Sequence, residues 1–99
     1  MSSSGAIRTN ERFPIKVSVE IAQPRAQRRS DAELCDLSTG GCRIISRDPF
    51  SVGDQILLTI DGLEPWPAAI VWSGDGCAGA AFHTPLDYSI AEHYARAFR

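Results

Sequence analysis

Phe13, Ile15, Val17, Val19 and Ile21 alternate with Pro14, Lys16, Ser18, Glu20 and Ala22. That period of two predicts a strand with one face buried. The polar run Gln23-Pro24-Arg25-Ala26-Gln27 interrupts it. Arg28 to Asp36 alternates more weakly, with Ala32 and Leu34 on one face. Leu37-Ser38-Thr39-Gly40-Gly41 has turn composition, in which glycine takes positive φ without steric cost. Cys42 to Ile45 is a third short strand, and Gln55 to Ile60 follows after the Asp48-Pro49 and Gly53-Asp54 breaks. Beyond an Asp61-Gly62 turn, Ala68 to Ser73 and Ala78 to Phe82 form two more strands, joined through Gly74-Asp75-Gly76.

The period then changes. Leu86, Ile90, Tyr94 and Ala97/Phe98 recur every three to four residues, with Thr84-Pro85 or Asp87 as the start signal. The spacing predicts an amphipathic helix over about 86–98, its Leu86/Ile90/Tyr94 stripe facing inward. Six short strands over about 13–83 and one C-terminal helix give an all-β class, as a small antiparallel barrel or sandwich. A chain of 99 residues makes one domain, placed at 8–99 behind a Ser/Gly-rich flexible lead at 1–7.

Composition is that of a soluble globular protein, 43% apolar and 22% charged. No stretch is apolar enough to span a membrane, and the N-terminus lacks the features of a signal peptide, so the cytoplasm is the expected location. Cys35, Cys42 and Cys77 have no CxxC spacing. Cys35 and Cys42 flank a turn and can face each other across it, but reduced thiols are expected in a cytosolic domain. No metal or cofactor is expected, since His83 and His93 stand in unrelated contexts.

The net charge of −2 argues against a general nucleic-acid or anionic-membrane binder. Residues 1–50 hold eight Lys/Arg against six acids, whereas residues 51–99 hold two Arg against six. An anionic ligand is therefore expected at the N-terminal half.

Two patterns carry chemistry. Arg8-Thr9-Asn10-Glu11-Arg12 is RxxxR just before the first strand, and Asp36-Leu37-Ser38-Thr39-Gly40-Gly41 is DxSxxG at the second turn. In this the chain resembles the PilZ family. Val71-Trp72, Gly79 to Phe82 and Gly53-Asp54 resemble the family's later landmarks. The resemblance implies a six-stranded antiparallel β-barrel with a C-terminal helix, and a site for cyclic di-GMP at Arg8, Arg12, Asp36, Ser38 and Gly41.

Such a ligand offers two phosphates and two guanines. An arginine fork bonds phosphate oxygens or the guanine O6/N7 edge, and its face stacks on a base. Asp36 can accept from guanine N1–H and N2–H, Ser38 can bond a base edge or phosphate, and Gly41 permits close backbone approach or a conformation closed to other residues. Asp36 and Ser38 can equally cap their own turn, and the two roles can coexist. Arg43 joins the candidate site from a wider group (Arg25, Arg28, Arg29, Arg43) whose other members read as solvated charge. In the family, a basic residue before the first arginine lets a ligand pair bind; Ile7 stands there, implying one ligand per domain.

Trp66 reads as a half-buried barrel aromatic and Trp72 as core. The Gly74-to-Gly79 run lacks the lysine and hydroxyl of a phosphate loop. No grouping suits nucleophilic or acid–base catalysis, so the expected function is a non-enzymatic receptor acting through an unidentified effector protein. A PilZ-like interaction module without nucleotide affinity is the second reading. A single-strand nucleic-acid binder fits poorly, since it wants a basic groove with exposed aromatics.

Overall fold

A computed structural model describes residues 12–60 and 64–98. Arg8 and Ile7 of the expected arm, and the Asp61-Gly62 turn, lie outside the described residues. Six strands, β1 (Phe13–Gln23), β2 (Arg28–Leu37), β3 (Gly41–Ser46), β4 (Gln55–Ile60), β5 (Trp66–Gly74) and β6 (Cys77–Phe82), precede one helix, α1 (Tyr88–Ala97). Every strand pair is antiparallel, and the order β1-β2-β3-β6-β5-β4 closes on itself through β4 and β1.

Alternation builds the interior. Ile15, Val19 and Ile21 of β1 meet Leu34 and Leu37 of β2, Ile44 of β3, Ile56, Leu58 and Ile60 of β4, and Ile70 of β5 in one buried cluster. β5 and β6 are joined by a two-residue turn in which Asp75 and Gly76 both take positive φ, at 54° and 79°. That handedness matches the twist of the flanking strands, which is why Asp-Gly works there.

The helix closes the barrel end where β1 starts and β2 and β6 finish. Leu86, Tyr94 and Phe98 of the expected stripe pack on the core, but the centre of the inward face differs from the sequence expectation. Ala91 and Ala95 are buried, with Tyr94 and Phe98 packed beside them, while Ile90 is 40% exposed. Alanine brings the helix axis close to the barrel, and the long side chains then spread sideways. Tyr94 meets Trp66 edge-on with ring centroids 5.5 Å apart, and Trp66 meets Phe82 likewise at 5.5 Å. The Lys16 N–H donates to the Phe98 carbonyl at 2.7 Å, tying the helix end to β1. Among the described residues, no helix is long and apolar enough to cross a membrane.

Candidate functional site

The DxSxxG segment is the link between β2 and β3, and its geometry is set by hydrogen bonds. The Ser38 N–H donates to the Gly41 carbonyl at 2.8 Å, and Ser38 Oγ donates to the same oxygen at 3.2 Å. Ser38 is buried. Thus the turn-capping role of Ser38 is realised. The turn is tied down from outside as well: the Phe82 N–H donates to the Gly40 carbonyl at 2.9 Å, and the Leu86 N–H to that of Thr39 at 2.8 Å.

Positive φ is not what this turn needs from glycine. Among the described glycines only Gly53 and Gly76 have it. Gly41 is required for close approach, because a β-carbon there would lie 2.2 Å from the Ala80 carbonyl oxygen. β3 and β6 meet at that point, with Gly41 opposite Ala81.

Two irregularities then aim the functional side chains. Between Leu34 and Asp36 the β2–β3 register slips, so that Leu34 pairs with Ile44 and Asp36 with Arg43. Cys35 is the extra residue. In a regular strand Asp36, two residues on, would share the interior face with Leu34; with the bulge, Leu37 takes the interior and Asp36 turns outward. Between Ile70 and Trp72 the β5–β6 register slips in the same way, so that Ile70 pairs with Ala80 and Trp72 with Gly79. Val71 and Trp72 are left 52% and 44% exposed. The expectation of a core Trp72 is therefore corrected: the bulge at Val71 reverses the alternation that Ala68 and Ile70 begin.

The consequence is a single row across the outer face. Asp36 pairs with Arg43, Arg43 with Gly79, and Gly79 with Trp72. A bulge sits at each end of the row. Gly79 leaves room for the indole to lie over the backbone, since a β-carbon would fall 2.0 Å from Trp72 Nε1. At the other end, Arg12 precedes β1 and brings Nη1 to 3.7 Å from Asp36 Oδ2, while Arg43 Nε stands 3.9 Å from the same oxygen. Both separations exceed hydrogen-bond range, so the attraction is electrostatic and commits neither fork to the carboxylate. Arg12 and Asp36 of the two motifs are thus neighbours.

These residues edge a groove of about 260 Å³, lined among others by Arg12, Ser38, Gly41, Arg43, Trp72 and Gly79. A larger concavity of about 900 Å³ lies toward the opposite end of β2, β3 and β6, lined by Asp31, Glu33, Asp48 and Asp75 with Arg47. An anionic ligand would be repelled there. The smaller, cationic groove is the better candidate for one.

Arg43 has a further neighbour. The Cys35 thiol donates to the Arg43 carbonyl at 3.5 Å, and Cys35, followed by Asp36, raises the pKa of the Arg43 guanidinium above its ordinary value. Cys42, on the interior side of β3, has its thiol pushed up from 9.0 to about 12, first by burial and then by Cys35 and Asp36. Cys42 pairs with Leu37 rather than facing Cys35, and all three cysteines are free. Arg28 and Arg29 are engaged at the far end of β2: Arg28 Nη2 donates to the Pro49 carbonyl at 3.1 Å, and Arg29 pairs with Glu20 at 3.1 Å. Of the wider arginine group, Arg43 is the member placed at the motif turn. Among the described residues no group of three or more His, Cys, Asp or Glu is placed to hold a metal ion.

Trp72 is the site residue that sequence reasoning missed. The signal was there. Counting outward from the two-residue Asp75-Gly76 turn pairs 72 with 79, and interior Ala78, Ala80 and Phe82 put position 79 on the outside. Cross-strand partners share a face. Trp72 therefore had to be outside too.

Among curated proteins none matches this sequence. The crystal structure of the PilZ domain of CeSA from a cellulose-synthesising bacterium is similar in fold, with a TM-score of 0.63 and 23% identity over 88% of this chain and 92% of that one. The family model for the PilZ domain matches residues 6–97. With the motifs, the closed barrel and that match in agreement, the chain belongs to the PilZ domain family, a family of cyclic di-GMP receptor domains.

Proposed function

We propose that this chain binds cyclic di-GMP at the groove beside the DxSxxG turn, has no catalytic activity of its own, and passes the signal to a separate effector protein in the cytoplasm. The observation that carries the reading is the meeting of two arginines on one carboxylate at the groove edge, at 3.7 and 3.9 Å. Arg8 and Arg12 supply forks for phosphate or for the guanine O6/N7 edge. Asp36 accepts from the opposite guanine edge. Ser38 shapes the turn that presents Asp36, Gly41 lets β3 and β6 close beneath it, and Arg43 adds a third cation. Trp72 offers an exposed ring face next to Arg43, a surface on which a guanine can stack.

Ligand and Asp36 compete for the same two guanidinium groups. Binding exchanges weak, solvent-screened ion pairs for shorter and stronger charge-assisted bonds to the ligand. Ile7 adds no positive charge for a second ligand, so one ligand per domain is expected.

Titration calorimetry with cyclic di-GMP tests this directly. Saturable binding near one equivalent is expected for the wild type. Arg12→Ala should lose most of the affinity while melting almost unchanged, and Arg12→Lys should weaken binding through loss of the fork. Trp72→Ala should cost about 1–3 kcal/mol, from about fivefold to about a hundredfold in Kd. Unaltered affinity in Arg12→Ala would place the pocket elsewhere.

A further inference from the structure

The outer face of β2, β3 and β6 continues past the motif row, and the next row has a different character. Glu33 pairs with Ile45, and Ile45 with Cys77. Ile45 is two residues beyond Arg43 on the same strand, a separation of about 7 Å. It is 44% exposed. Around it opens the concavity of about 900 Å³, edged by the carboxylates of Asp31, Glu33, Asp48 and Asp75 and by one cation, Arg47. Among the described residues none of these four carboxylates has an ion-pair partner. An exposed aliphatic residue ringed by four carboxylates against a single cation is an unfinished surface, since the excess negative charge favours a cation from outside.

We propose that this concavity docks a basic amphipathic segment of a partner protein, with an apolar side chain seated on Ile45 and Lys or Arg side chains on the surrounding carboxylates. Charge complementarity selects that occupant. A nucleic acid or an anionic membrane would be repelled, and the carboxylates are not grouped closely enough to chelate a metal ion. The proposal rests on the receptor reading only for what the partner does with the signal. On that reading, a doubly anionic ligand one row away lies within a Debye length of about 8 Å and adds to the negative field the partner meets.

The test places p-benzoyl-phenylalanine at position 45 of the full chain in its native cells, with position 52, exposed but outside the concavity, as control. After irradiation the adduct is mapped by mass spectrometry. The expected result is a crosslink from position 45 to a net-positive segment of another protein. Its yield should fall roughly tenfold in the Asp31→Lys/Asp48→Lys background, both sites being exposed. No adduct above the position 52 control would overturn the proposal. So would an adduct to a neutral or acidic segment, to lipid or to a second copy of this chain, or a yield indifferent to charge reversal. Calorimetry on the wild type is run separately. A basic adduct without cyclic di-GMP binding removes the receptor reading alone, and binding without a basic adduct removes the docking face alone.

Discussion

Gly41 and Gly79 both line the groove, and replacing each by alanine should have different outcomes. At Gly41 the new β-carbon would stand 2.2 Å from the Ala80 carbonyl oxygen, when 3.0 Å is the floor of real contacts, so β3 and β6 must part by about 0.8 Å. The obstacle is backbone inside a closed ladder and has no rotamer to escape into. Overpacking of this kind costs roughly 1–3 kcal/mol, and immobile backbone puts it at the upper end. For a domain of this size each kcal/mol moves Tm by about 4–8 °C, so Gly41→Ala should melt roughly 10–20 °C lower. At Gly79 the obstacle is the Trp72 indole, as close as 2.0 Å but belonging to a side chain already 44% exposed. The ring can swing off into solvent, and the loss is its contact with the strand, about 1 kcal/mol or less. Thermal unfolding followed by circular dichroism measures both. Equal costs for the two alanines, or a Gly41→Ala Tm within about 2 °C of wild type, would refute the reasoning. The contrast also bears on ligand titration: weak binding in Gly41→Ala reports a damaged sheet, whereas weak binding in a folded Gly79→Ala reports the displaced ring.

Ser38→Ala removes a buried hydroxyl donor from the turn and should destabilise by about 1 kcal/mol in denaturant titration, with Asp36 still on the outer face. Cys42 gives a pH dependence: its folded pKa of about 12 lies above the ordinary 9.0, so the unfolded chain releases the proton first. Its contribution is complete below pH 9 and is lost as pH rises from 9 toward 12, at up to about 1.4 kcal/mol per pH unit. Cys42→Ala should flatten that alkaline decline in unfolding experiments, though it lowers stability at neutral pH through the cavity it leaves.

Much of the barrel was legible because β1 keeps strict alternation from Phe13 to Ile21 and turn residues separate the other strands. What escaped were the places where alternation breaks. A bulge inserts one residue and exchanges the faces beyond it, so Trp72, read as core within the Ala68 to Ser73 strand, lies outside although Ala68 and Ile70 are interior. In β2 the odd spacing of Leu34 and Leu37 carried the hint. On the helix side Leu86, Tyr94 and Phe98 pack as their spacing implies, but Ile90 is exposed, and Ala91 and Ala95 escaped notice because alanine contributes little to an apolar stripe. In the site, Arg12, Asp36 and Arg43 were named from the motifs and their chemistry. Their convergence on one oxygen depends on the Cys35 bulge, which no motif encodes.

The pairing of β4 with β1 has a corollary for how such a domain is read by others. Because the ladder closes around the circumference, each of the six described strands has a partner on both sides and none is an open sheet edge along its whole length. Whatever listens to this molecule must do so through its outward side chains. Those can be exchanged without disturbing the ladder, so a change of audience demands only a new coat on the same cylinder.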